Sequence, residues 1–122
     1  MKKPTVLIIE DDEQQLNLIK KILQREFNIK SSFNTKTLPL MIDRFDINLI
    51  IFDLHLKNSN SCDTVKSLKE IFEEKNIPFI FMSEDTNQET INNCLSLGAK
   101  DFLPKPFRPN NLKDTINKNL KK

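Results

Sequence analysis

Three short, nearly unbroken apolar runs constrain this chain more than any other feature: TVLII at 5–9, INLIIF at 47–52 and IPFIFM at 77–82. Each lacks the alternation of a strand with one wet face, and each is short for a helix. They therefore read as strands buried on both sides. Weaker strand candidates stand at IKSSF (29–33) and KDFL (100–103), nearer the sheet edges. Helical spacing fills the gaps. Leu16, Ile19, Ile22 and Leu23 make one apolar stripe, and Val65, Leu68 and Phe72 another. Ile91 with Leu95, and Leu112 with Ile116 and Leu120, recur every four residues. A short helix is expected within 36–44, where Pro39 is tolerated only in the first turn. Gly98 is placed to stop the helix before it. Strand and helix alternate five times. That predicts an α/β fold: a (βα)5, doubly wound, five-stranded parallel sheet in the order 2-1-3-4-5.

At 122 residues, with no repeat, linker or low-complexity tract, the chain is expected to form one domain over 1–122. The formal charge of +2 is small and its lysines are spread along the chain, so no nucleic-acid partner is expected. The basic end, NLKDTINKNLKK, suits a helix C-terminus. Cys62 and Cys94 stand apart with a single histidine, which speaks against a zinc site and for reduced thiols in a cytosolic protein. No segment is apolar enough to span a membrane, and MKKPTVLIIEDD reaches its acids too soon for a signal peptide. The expected location is the cytoplasm. Gly98 is the one glycine, which rules out GxGxxG and GxxxxGK[ST] phosphate loops.

In open α/β sheets the ligand site lies beyond the carboxyl ends of the strands. After the first run come Glu10, Asp11 and Asp12; after the third, Asp53; after the fourth, Ser83; after the fifth, Lys105 and Pro106. Clustered carboxylates repel unless a cation intervenes, and a hard cation such as Mg²⁺ takes oxygen ligands. Lysine and serine can hold phosphoryl oxygens, and an aspartate can act as the nucleophile that accepts a phosphoryl group. Singly, each residue has a plainer use, since acids and serines at strand ends also cap helices.

The segments VLIIEDDEQQL, LIIFDL, FIFMS and LGAKDFLPKPF resemble, in order and spacing, the response-regulator receiver domain of two-component signalling, across essentially the whole chain. The resemblance implies the flavodoxin-like receiver fold and a set of roles. Asp53 is the phosphoacceptor, charged from a phosphohistidine on a sensor histidine kinase or phosphotransfer protein. Glu10 and Asp11 are the acidic pair at Mg²⁺, joined by Asp53 and the backbone carbonyl of His55. Asp11 is the direct ligand and Glu10 acts partly through water, with Asp12 outside. Ser83 and Lys105 meet the phosphoryl group, the Lys105–Pro106 bond is cis, and Phe102 is the aromatic switch. Three positions depart from the family pattern: Lys57 and Ser61 replace a proline and a glycine after the acceptor, and Glu84 replaces a small residue.

The function implied is a phosphorylation switch that alters partner affinity on the fourth helix, fifth strand and fifth helix, with homodimerisation an open possibility and no separate metabolite turned over. Two other readings stand beside it. One is a constitutive interaction module that keeps the pocket but is rarely phosphorylated, favoured by Lys57, Ser61 and Glu84. The other is an aspartate-nucleophile phosphohydrolase. Such enzymes usually carry an acid two residues after the nucleophile, where this chain has His55.

Overall fold

The computed structural model describes residues 3–121; Met1, Lys2 and Lys122, the last lysine of the basic end, lie outside them. The three apolar runs form β1 (Thr5–Ile9), β3 (Leu49–Asp53) and β4 (Phe79–Ser83). The weaker candidates form β2 (Asn28–Ser32) and β5 (Phe102–Pro104). All neighbours pair in parallel, in the order β2-β1-β3-β4-β5, as expected. The two weak strands occupy the edges, where one flank is free of a hydrogen-bonded neighbour. The central pair explains the sequence pattern: every residue of β3 and β4 is buried.

Alternate side chains of the sheet feed two cores. On one face Leu7, Ile9, Phe52, Phe79 and Phe81 pack under α2 (Leu38–Arg44), α3 (Ser61–Ser67), α4 (Lys69–Lys75) and α5 (Gln88–Ser96). On the other, Val6, Ile8, Ile51, Ile80 and Met82 pack under α1 (Glu13–Leu23) and α6 (Pro109–Asn119). Pro39 does fall in the first turn of α2. Among the described residues no helix is long and apolar enough to cross a membrane. Cys62 and Cys94 are both free thiols.

Two helical expectations need correcting. The third helical stretch is not one helix: Leu68, at φ −106° and ψ 10°, parts α3 from α4, so the chain has six helices among its described residues. The Thr64 hydroxyl donates to the Asn60 carbonyl and the Ser67 hydroxyl to that of Thr64, a local competition that bends helices. The fourth and fifth helices of the sequence reading are therefore α5 and α6. On α5 the four-residue pair Ile91 and Leu95 is not the core stripe either. Cys94 is buried, Ile91 and Leu97 are half-buried, and Leu95 is 44% exposed. The buried face runs 91-94-97, one helical step of about 100° from Leu95.

Gly98 ends α5 with φ +106°, a conformation that L side chains rarely adopt. A methyl group there would come no closer than 3.7 Å to Phe79, so backbone strain sets the cost and crowding does not. Gly98→Ala is expected to lower stability by about 1–2 kcal/mol. A fall in the urea midpoint with an unchanged m-value is the check.

Candidate functional site

The parallel sheet delivers four side chains to one rim because four adjacent strands end there. Glu10 follows β1, Asp53 is the last residue of β3, Ser83 the last of β4, and Lys105 follows β5. The rim is held in register by backbone bonds: Leu54 N–H donates to the Met82 carbonyl at 3.0 Å and Lys105 N–H to that of Ser83 at 2.8 Å. The Lys105–Pro106 bond is cis. Lys105 Nζ lies 3.3 Å from Glu10 Oε1 and 3.5 Å from Asp53 Oδ2. A cavity of about 700 Å³ opens over these groups, with Asp11, His55, Lys57 and Glu84 also on its wall.

The three acids after β1 divide by their partners. Asp12 caps α1, its carboxylate accepting from the N–H groups of Gln14 at 2.9 Å and Gln15 at 3.2 Å. Asp11 is held by the opposite loop, where Lys57 N–H donates to its Oδ2 at 2.7 Å. Glu10 is fully buried, and its Oε2 has no hydrogen-bond partner among the described residues. Glu10, Asp11 and Asp53 each offer a carboxylate oxygen within 4.8 Å of the others. Three converging carboxylates and an orphaned buried oxygen fit the donor set of a hard divalent cation.

The other expected residues sort as follows. His55 is exposed, and its N–H donates to Asp53 Oδ1 at 3.0 Å. Ser83 is buried, its hydroxyl oxygen accepting from Asp85 N–H at 2.9 Å. Phe102 is half-buried against the aromatic core and does not line the cavity. Thus Glu10, Asp11, Asp53 and Lys105 converge, Ser83 is buried beside them, and Phe102 stands on the edge strand outside the cavity.

Burial pushes the Glu10 carboxyl up to about 8, helped by the neighbouring Asp53 and only partly opposed by Lys105. Burial also works against ionising Asp53, yet hydrogen bonding with Glu10, the His55 N–H and the Lys105 ammonium together hold it below the ordinary aspartate range. Burial and the neighbouring charge thus disfavour the ionised form of Glu10, while the partners of Asp53 favour its ionised form.

By sequence, Ser61 is only a departure from a family glycine, and the path of the loop after Asp53 stays open. The Ser61 side chain is buried, and its hydroxyl donates to the Asp53 carbonyl at 2.7 Å. The hydroxyl pins the loop from the far side. The available signal was NSNS before a helical stripe: Asn60 takes the cap, accepting from Asp63 N–H at 3.0 Å, and frees the next hydroxyl to reach back.

Comparison with known proteins decides the family. The sequence profile described as response regulator receiver domain matches residues 6–117. The chain belongs to the receiver-domain family. Its relatives include the two-component response regulator ORR3 of Oryza sativa subsp. indica, 30% identical over 128 residues that cover 98% of this chain and 93% of that protein. The aerobic respiration control protein ArcA of Escherichia coli K12 is 28% identical over 92% of this chain, which spans only 46% of ArcA's length. In structure, this receiver domain matches the chemotaxis response regulator CheY4 of Vibrio cholerae with a TM-score of 0.85 at 19% identity, covering 96% of this chain and 98% of that one. That likeness confirms the fold.

Two measurements test the site's energetics. Glu10 has a raised folded pKa, so its contribution to stability is complete below its ordinary value of 4.5 and is lost as pH rises through about 8. Metal-free protein should lose stability from pH 6 to 8.5, at most about 1.4 kcal/mol per pH unit for one proton. Glu10→Gln should flatten that slope in urea titrations. Separately, Ser61→Ala strands the Asp53 carbonyl and should cost about 1–3 kcal/mol in the same assay.

Proposed function

We propose that this receiver domain, working as one domain over 1–122, is a phosphorylation switch in which Asp53 accepts a phosphoryl group from a phosphohistidine of a sensor histidine kinase or phosphotransfer protein. The observation that carries this reading is the Lys105 ammonium set 3.3 Å from buried Glu10 and 3.5 Å from Asp53 at a rim cavity that Asp11 also lines. An Asp53 carboxylate oxygen attacks phosphorus. The new P–O bond forms as the P–N bond breaks, and the imidazole nitrogen leaves with its electron pair. His55 N–H keeps the carboxylate oriented, and Lys105 offsets charge gathering on the transferred group.

Glu10, Asp11, Asp53 and the His55 backbone carbonyl would hold Mg²⁺, which when bound supplies positive charge to the phosphoryl oxygens. Ser83 accepts from Asp85 through its oxygen and so keeps its own proton to donate to the phosphoryl group. Its shift frees space for Phe102 to turn inward. The face of α5, β5 and α6 then changes its affinity for a downstream protein, and partner binding stabilises the phosphorylated state by linkage. The domain modifies itself and turns over no separate metabolite. The setting proposed is the cytoplasm.

The test is intact mass after incubation with Mg²⁺ and a small phosphoramidate. One added phosphoryl group is expected on the native chain, and none without Mg²⁺ or in Asp53→Asn. A second reading, a constitutive binding module, draws on Glu84, which stands exposed at the cavity mouth. Phosphate gained only in Glu84→Ala would mean a gated switch. Silence in both proteins would overturn the switch.

A further inference from the structure

At the opposite end of the sheet, the amino ends of β4 and β5, one face of α4 from Lys69 to Asn76 and the C-terminal ends of α5 and α6 line a second, half-open cavity of about 520 Å³. That volume is ordinary for a small-molecule site, roughly 300–1,000 Å³. Its floor is apolar, formed by Phe72, Ile77, Phe79 and Leu97. The Phe72 and Phe79 rings pack 5.3 Å apart and are each less than a tenth exposed, so the aromatic surface is recessed. Gly98 lines the wall, and a side chain there would stand 3.7 Å from the Phe79 ring edge. Glycine leaves that edge open.

The rim has the opposite character. Lys69, Lys100, Lys118 and Lys121 line it, against the single acid Glu73. Lys118 leans to Asp101 at 3.4 Å, whereas Lys69 and Lys100 have no carboxylate within 4.0 Å among the described residues. The C-termini of α5 and α6 add partial negative charge, roughly half a unit each, so part of the charge on the lysines near them is already matched, whereas Lys69 begins α4. A modest positive excess remains over a greasy, recessed floor. A flat protein surface would meet the exposed lysines and leave the rings untouched. A small molecule with one apolar end and one anionic end satisfies both.

We infer that this cavity is a binding site for a small amphiphilic anion, an aromatic body seated on Phe72 and Phe79 with a carboxylate, sulfonate or phosphate at Lys69 and Lys100. The floor orients the apolar end and the lysines select the sign of charge. The inference is independent of phosphoryl transfer at Asp53, since the two sites lie at opposite strand ends.

The test is a titration with naphthalene-1-sulfonate, read by amide chemical shifts of the native protein. Saturable shifts are expected at Asn76–Phe79 and Leu97–Lys100, with a Kd below about 1 mM. The pair Lys69→Glu with Lys100→Glu should weaken binding at least about tenfold without moving the thermal midpoint, and uncharged naphthalene-1-methanol should bind comparably weakly to the native protein. Should the charge reversals unfold the chain, Lys69→Gln with Lys100→Gln reads the same loss in smaller degree. No saturation by about 5 mM, shifts centred elsewhere, or equal affinity in the lysine variants would overturn the inference.

Discussion

Everything at the rim depends on one ammonium group placed between two buried carboxylates. Glu10 and Asp53 crowd each other at adjacent strand ends, and two like charges so close cannot both ionise cheaply. Lys105 reaches both, at 3.3 and 3.5 Å, yet it does not fully offset the burial of Glu10. The raised proton affinity of Glu10 is the remainder of that imbalance. The arrangement disfavours charge on the deeper acid and favours it on the outer one. It also leaves Glu10 Oε2 buried and, among the described residues, unpaired, a cost that a cation or an ordered water would relieve.

Much of this was legible in the chain itself. The central strands announced themselves because burial on both faces allows no polar positions, and the poorer strands were rightly placed at the edges. The rim followed from topology: once strands 1, 3, 4 and 5 are parallel neighbours, whatever follows each of them must gather. Glu10, Asp11, Asp53 and Lys105 come together as that reasoning requires. What escaped was decided by local geometry that apolar periodicity does not encode. Cys94 outcompetes Leu95 for the core because the packed face of α5 follows a three-residue step. The break at Leu68 comes from hydroxyls that bond back along the helix. Ser61 looked like a loss of glycine flexibility and is instead a fastener.

The same distinction separates Asp11 from Asp12. Composition makes them equivalent, and either could cap the helix or face the site. The backbone decides, because Asp12 precedes the first turn of α1 in extended conformation and so meets two unpaired N–H groups. Asp11 is one residue earlier and finds its partner across the cavity, on Lys57 N–H. Acids that look interchangeable in the chain thus serve different elements. The tie from Asp11 to Lys57 also joins the first and third strand ends over the top of the site.

The division at Leu68 has a consequence for how firmly that loop is held. A helix of seven residues has fewer than two turns and no independent stability in water. What secures α3 and α4 is their anchorage to the sheet through Val65, Leu68 and Phe72. Ser61, the first residue of α3, is the point from which the Asp53 carbonyl is clasped. The backbone behind Asp53 is therefore only as rigid as three apolar contacts well away from it. The most charged corner of the molecule takes its stiffness from a purely hydrophobic footing.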